Sequence, residues 1–252
     1  MIGQKKIACI IPARLKSTRF PKKMLSLLNG KPLLQWVWES ATAISLFDEV
    51  AFAVDAQETE ELIHSFGGKC FMTSEDCPSG SDRLAELLEK GLVDADIWVN
   101  WQGDEPFIKE QMIHDLLQNC DQEESDLWTL KKRIIRPEEV SNPHIAKLVC
   151  DSRGFALYFS RSQIPFYRDV ADFSKQEFYK HVGLYAYTKD ALKKIRGLPP
   201  CEIESAEQLE QLRFLYHHLR IRVHETEHEV FGIDLPEHLV KAEVFVNSLE
   251  TV

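Results

Sequence analysis

The sequence predicts an α/β fold: a mixed, mostly parallel sheet covered by helices, with an antiparallel, strand-rich excursion. Three observations predict it. Short apolar runs alternate with helix-period stretches through the first half of the chain, the pattern of βαβ units. Around 126–187 that alternation gives way to runs joined by tight turns, as antiparallel hairpins require. The chain has 252 residues, 44% hydrophobic and 10% aromatic, enough to bury the core of one large α/β domain or two small ones. No repeat, low-complexity tract or linker interrupts it. The sequence therefore reads as one domain over 1–252, with the excursion at about 136–187.

The elements follow in order. Ile7-Ala8-Cys9-Ile10-Ile11 is an apolar, partly β-branched run stopped by Pro12, so it reads as a short buried strand. Further strands are expected at Glu49–Val54, Lys69–Thr73 and Asp96–Trp101. Helix periodicity marks Pro32–Ser45, Ala56–Phe66, Ser81–Leu88 and Glu110–Cys120 between and after them. Ala146–Cys150 and Phe155–Phe159 flank Asp151-Ser152-Arg153-Gly154 and read as a hairpin. Tyr179–Tyr187 is another strand, Ala206–His217 a helix and Ile221–His224 extended. Pro236–Ser248 closes the series as a helix with proline in its first turn.

Charge is unevenly placed. The first 38 residues carry eight Lys or Arg and no Asp or Glu, leaving 22 basic against 40 acidic side chains in the other 214. A cationic loop at the carboxyl end of a first buried strand is where an open α/β sheet puts an anionic ligand. We read it as a nucleoside-triphosphate site; a solvated basic surface is the plain alternative. A transit peptide is disfavoured, because Pro12, Pro21 and Asn29-Gly30 would break its amphipathic helix. No apolar run approaches the ~18–20 residues that cross a bilayer, and the first strand is too short for a signal-peptide core. Cysteines 9, 70, 77, 120, 150 and 201 include no C-x-x-C pair, which suggests reduced thiols in a cytoplasm. A pI near 5.4 argues against a nucleic-acid partner. Neither G-x-G-x-x-G after the first strand nor G-x-x-x-x-G-K-[ST] occurs, so dinucleotide binding is disfavoured and a P-loop excluded.

Three segments could carry chemistry. Arg14, Lys16, Arg19, Lys22 and Lys23 supply five cations in ten positions, with Ser17 and Thr18 as neutral donors; a triphosphate, with about four negative charges, calls for several such groups. Trp98–Pro106 ends in a glycine turn presenting Asp104, a carboxylate that could hold Mg²⁺ or only cap a helix. Asp234, before the helix at Pro236, offers the same two readings. His224-Glu225-Thr226-Glu227-His228 matches a zinc-protease signature that works only on a helix. The alternating Arg220–Val223 before it predicts a strand, on which the two histidines stand ~13 Å apart. Gln102, Arg161, His181, Tyr185, Glu210 and Gln211 are polar residues near turns or on mixed faces. Glu207, Glu210 and Arg213 have the i, i+3 spacing of a solvated ion-pair face.

The blocks IPARLKSTRFPKKML, MTSEDCPSGSDRLAE, NWQGDEPFI, NPHIAKLV, ALYFSRSQIPF, KHVGLYAY, LEQLR and GIDLPEHL, in this order, resemble the CMP-Kdo synthetases, the 3-deoxy-manno-octulosonate cytidylyltransferases. The resemblance spans nearly the whole chain. The sialic-acid-activating relatives share the opening style, whereas SGSDR, YFSR and LEQLR are closer to the Kdo branch. It implies a Rossmann-like nucleotidyltransferase fold and transfer of CMP from CTP to the anomeric hydroxyl of Kdo, with pyrophosphate released, for lipopolysaccharide synthesis. It also implies Mg²⁺ and a cytoplasmic homodimer without membrane insertion. Arg14 and Lys22 would hold the triphosphate, supported by Ser17 and Arg19, with Ser79, Gly80 and Arg83 near the cytidine. Asp104 and Asp234 would carry Mg²⁺, and Gln102, Arg161, His181, Tyr185, Glu210 and Gln211 would line the acid-sugar pocket. The chain departs from the family's usual residues at Cys77, Ser81 and Leu235. A CMP-sialic-acid-type synthetase, a metal-dependent glycosyltransferase and a non-catalytic nucleotide-binding module are the alternatives.

Overall fold

The structure, a computed structural model, describes residues 3–17, 20–121, 124–170 and 172–249. Arg19 and Thr18, from the cationic loop, lie outside the described residues. The chain forms two compact units, Met1–Glu110 with Val230–Val252, and Gln111–Glu229.

The first unit starts with β1 (Ile7–Ala13), all seven residues of which are buried. Its continuous apolar face is what a strand covered on both sides needs. A hairpin of β2 (Leu27–Leu28) and β3 (Lys31–Pro32) follows. Asn29 and Gly30 turn it at φ 49° and 74°, the left-handed pair that an Asn-Gly hairpin uses. Next come α1 (Leu33–Thr42), β4 (Glu49–Val54), α2 (Gln57–Ser65), β5 (Cys70–Met72), α3 (Gly80–Glu89) and β6 (Ile97–Asn100). α1 buries Leu33, Leu34, Val37 and Ala41 along one stripe, each large side chain there contributing about 1.5–3 kcal/mol of burial. Strands β1, β4, β5 and β6 pair in parallel in the order β6-β1-β4-β5. The chain moves outward from β1 to β5 and then returns to the other side of β1. The loops leaving β1 and β6 therefore diverge, which opens a crevice at their carboxyl ends.

The second unit takes in α4 (Glu110–Leu116) from Gln111 onward and contains β7 (Leu127–Arg133), α5 (Pro137–Ser141), β8 (Lys147–Cys150), β9 (Ala156–Ser160) and β10 (Tyr179–Thr188). It ends with α6 (Lys189–Ile195), α7 (Glu202–Glu207), α8 (Gln211–Tyr216) and β11 (Ile221–Glu225). β8 and β9 form the expected antiparallel hairpin, with Leu148 opposite Phe159. β10 pairs antiparallel with β7 and β8, while β11 runs parallel to β7. The chain then returns to the first unit as α9 (Pro236–Leu249). Ile233, Ala242 and Val246 pack there with Leu28 and Leu33 in one buried cluster.

The structure departs from the sequence expectations in identifiable places. The helix expected over 206–217 is two helices, because Gln208 takes a left-handed conformation at φ 52°. The expected Glu207–Glu210–Arg213 face is consequently split. Glu210 pairs with Arg213 at 2.8 Å, while Glu207 accepts from Ser160 Oγ at 2.6 Å and from the Arg161 N–H at 2.9 Å. β7 was not expected, since its apolar half runs into Lys131-Lys132-Arg133 without alternation. His224 lies in β11 and His228 beyond its end, the strand context in which the two cannot chelate one ion. All six cysteines are free thiols. Among the described residues, no helix is long and apolar enough to cross a membrane.

Candidate active site

At the crevice between β1 and β6 lies a cavity of about 370 Å³. Pro12, Arg14 and Ser17 line it from the loop after β1, and Gln102, Gly103 and Asp104 from the turn after β6. Cys77, Pro78, Ser79, Gly80 and Arg83 line it from the start of α3, Asp234 from the segment before α9, and Lys23 and Met24 from below. Every residue of the cavity belongs to the first unit.

Two glycines make the wall possible. A Cβ on Gly80 would stand 3.2 Å from the Pro12 ring and 3.3 Å from Asn100 Nδ2, crowded contacts that glycine avoids where α3 begins close to both strands. A Cβ on Gly103 would meet the Pro12 carbonyl oxygen at 3.0 Å. Ser79 caps α3, its Oγ accepting from the Asp82 N–H at 3.2 Å. The positive end of that helix faces the cavity, a favourable place for an anion.

Lys22 and Lys23 part company here. Lys22 adopts φ 54°, which sends its side chain outward to Glu58 at 2.9 Å. Lys23, only 6% exposed, points inward and donates to Asp104 Oδ2 and, at 3.2 Å, to Asp234 Oδ1. The two aspartates, 130 positions apart in sequence, thus meet at one ammonium. A backbone hydrogen bond from the Ile233 N–H to the Asp104 carbonyl, 2.9 Å long, aligns their segments. Lys23 is the site residue that the sequence reading passed over in favour of its neighbour. Arg14 is exposed at the cavity rim, and Lys16 is engaged by Glu75 at 2.7 Å.

The wall is braced by charge. Arg83, 2% exposed, donates to Asp55 Oδ2 at 2.8 Å and to Thr73 Oγ1 at 2.6 Å. Asp55 Oδ1 accepts in turn from the Leu15 N–H at 2.8 Å, fixing the cationic loop to β4. Glu86 takes up Cys77, the departure noted above: its carboxylate accepts from Cys77 Sγ at 3.0 Å and from the Ser74 N–H. Burial alone would raise the Glu86 pKa, but the bonds from Cys77, Lys90 and Ser74 hold it near 2. Burial and Glu86 push the Cys77 thiol up to about 12. Glu105, beside the aspartates, is raised well above the carboxylate range by burial and by Asp104 and Asp234. Its Oε2 is buried without a hydrogen-bond partner among the described residues.

The cavity thus brings together Arg14, Ser17, Ser79, Gly80, Arg83, Gln102, Asp104 and Asp234. Lys22 lies outside it. The other sugar-side candidates belong to the second unit. There His181 packs edge-on to Phe159 and against Tyr185, and burial holds its pKa near 4, so it is neutral. Thr129 Oγ1 lies 2.9 Å from the Leu184 carbonyl oxygen and 2.9 Å from His181 Nε2, so the threonine hydroxyl anchors the ring to the backbone of β10. Burial, with Tyr187 and Glu210, raises the Tyr185 phenol. Gln211 is buried, its Nε2 lacking a partner among the described residues. Arg161 spends its guanidinium on the carbonyls of Glu207, Pro143 and Gln208.

A family model for cytidylyltransferases matches residues 8–221. The 3-deoxy-manno-octulosonate cytidylyltransferase of Thermodesulfovibrio yellowstonii is 46% identical over 249 residues, covering 95% of this chain and 98% of that one. The chain belongs to this family. The enzyme of the same name from Geobacter sulfurreducens is 43% identical, over 93% of this chain and 97% of its own. A solved CMP:2-keto-3-deoxy-manno-octonic acid synthetase, complexed with CTP, superposes with a TM-score of 0.90 at 40% identity, covering 96% of this chain and 99% of that one. The 4-diphosphocytidyl-2C-methyl-D-erythritol synthase of Anaerococcus prevotii, at TM-score 0.62 and 11% identity, shares the fold.

Proposed function

We propose that this cytidylyltransferase transfers CMP from CTP to Kdo and releases pyrophosphate. The observation that carries the proposal is the cavity where Arg14, Lys23 and the start of α3 meet two converging aspartates. The anomeric oxygen of the sugar bonds to the α-phosphorus as its hydroxyl proton passes to solvent, and the bridging Pα–O bond breaks with its electron pair leaving on pyrophosphate. Arg14 and Lys23 supply positive charge to the phosphates, an electrostatic role that dominates transfers of this kind. Ser79 and Gly80 present the start of α3 to the nucleotide, and Arg83 holds that wall rigid through Asp55. His181, Tyr185, Glu210 and Gln211 of the second unit are the candidates for recognising the acid sugar, and Gln102 lines the cavity of the first. Arg161 acts by fixing the α7–α8 turn that precedes Glu210.

Asp104 and Asp234 fit Mg²⁺. Their oxygens are the donors a hard cation takes, and both converge on one cationic position, where the Lys23 ammonium now sits. A magnesium ion held there would neutralise phosphate oxygens and favour ionisation of the attacking hydroxyl. A homodimer, a cytoplasmic location and a place in lipopolysaccharide synthesis belong to the same proposal. The test is pyrophosphate release from CTP, Mg²⁺ and Kdo, with N-acetylneuraminate and no-sugar controls. Release requiring both Kdo and Mg²⁺ is expected. Release with N-acetylneuraminate alone would move the sugar assignment, and none from folded, CTP-binding protein would refute the transfer.

A further inference from the structure

The first unit holds a second group of ligating side chains, remote in kind from the aspartates. α2 places Glu60 and His64 one turn apart on the same face. The chain then reverses through Gly67, at φ 76°, and brings in Cys70, the first residue of β5. One donor atom from each of Glu60, His64 and Cys70 lies within 4.8 Å of the other two, and among the described residues they are the only three His, Cys, Asp or Glu side chains so grouped. His64 Nε2 stands 3.5 Å from Cys70 Sγ. In tetrahedral zinc coordination, bonds of ~2.3 Å to sulfur and ~2.05 Å to nitrogen put those two atoms about 3.6 Å apart. The histidine–cysteine edge of such a tetrahedron is therefore already formed.

We propose that Glu60, His64 and Cys70 form a binding site for Zn²⁺ or a similar thiophilic divalent cation. The three protein ligands leave the fourth position to water, which exposed His64 admits. Closing the site needs the Glu60 carboxylate to draw in from within 4.8 Å to an oxygen–nitrogen edge of ~3.4 Å. As the sulfur–metal bond forms, the thiol proton passes to solvent, and His64 binds through neutral Nε2. The site ties α2 to β5 across the Gly67–Gly68 turn. It selects by softness: sulfur and imidazole favour zinc, whereas the all-oxygen aspartate pair favours magnesium. The two sites are independent, so this inference stands or falls apart from cytidylyl transfer.

Cobalt(II) titration of the tag-free, full-length protein tests it. A thiolate-to-cobalt charge-transfer band in the near ultraviolet should grow to one equivalent and be displaced by Zn²⁺. Cys70→Ser should abolish the band, whereas Cys150→Ser, at another partly buried thiol, should keep it. His64→Gln and Glu60→Gln should each weaken binding by at least ~10-fold. Saturating Zn²⁺ should raise the melting temperature of the parent and not that of folded C70S. Absence of the band, its survival in C70S, or unchanged affinity in E60Q would overturn the three-ligand site.

Discussion

Removing one positive charge at position 22 should leave turnover nearly unchanged, whereas removing it at position 23 should nearly abolish it. Lys22 is 61% exposed and its partner Glu58 50% exposed, so that pair contributes only ~0.2–1 kcal/mol. Its left-handed backbone costs about 1 kcal/mol for a residue with a Cβ, a strain that Lys22→Gly relieves while adding ~0.5–1 kcal/mol of unfolded-chain entropy. These changes nearly cancel, and K22G should melt close to the parent and turn over at a similar rate. The Lys23 side chain is buried and touches both Asp104 and Asp234. Losing a preorganised charge from such a place costs about 2.7–4 kcal/mol of transition-state stabilisation, or ~10²–10³ in kcat. The assay is the initial rate of pyrophosphate release at saturating CTP and Kdo, with a thermal melt for each variant. K23A losing its rate while still folded, beside an active K22G, is the expected pair. A larger rate loss in K22G than in K23A would refute the assignment of the two side chains.

Two predictions concern stability. Arg83→Met strands the buried Asp55 carboxylate, a loss of ~3–5 kcal/mol that should lower the melting temperature by about 6–20 °C. Adding Asp55→Asn, which keeps an acceptor for the Leu15 N–H, should restore most of it; a single variant melting like the parent would remove Arg83 as the brace. The second concerns acid. The His224 pKa is held near 4 by burial, then by the Arg222 charge, against a smaller upward pull from Asp115. The unfolded chain takes up this proton near pH 6.5, so the stability is complete above that pH and is lost as pH falls toward 4. The span corresponds to on the order of 3 kcal/mol. Urea unfolding of His224→Leu should show a flatter pH dependence across this window, and an unchanged slope would exclude His224 as the source.

The strands of the first unit were legible because each is an uninterrupted apolar run. β4 occupies the expected Glu49–Val54 without change, and β1 extends past Pro12 only because Pro12 and Ala13 pair onward with β4. Helix limits were less legible. α1 stops at Thr42, three residues short of the expected Ser45, since apolar residues continue beyond the last helical bond. β7 hid because its second half is Lys and Arg, which the alternation rule reads as solvent-facing loop. Around Gln208 the composition is uniformly helix-forming, and a single left-handed residue decided the break. The convergence of Asp104 with Asp234 depends on a backbone bond between Ile233 and Asp104, a long-range contact that no local pattern encodes. Lys22 and Lys23 were indistinguishable by composition. Only the left-handed turn, a conformation usually given to glycine, separates the outward lysine from the inward one.

The chemistry of the cavity follows from how its titratable groups are spent. The Cys77 thiol, near pKa 12 and donating to Glu86, is neither nucleophile nor base. Glu86, near 2, remains a carboxylate engaged by its neighbours. Arg83 and Asp55 neutralise each other within the wall. What lines the open volume is fixed charge: Arg14 at the rim, and Lys23 held between Asp104 and Asp234. A site so arranged suits displacement at phosphorus better than hydrolysis of an amide or a glycoside, both of which need a poised acid or base to protonate a poor leaving group. Pyrophosphate leaves as an anion and asks for countercharge rather than a proton. The same reasoning ranks the variants: substitutions that change charge without changing shape, at Lys23, Asp104 or Asp234, should cost far more turnover than substitutions that remove a titrating thiol such as Cys77.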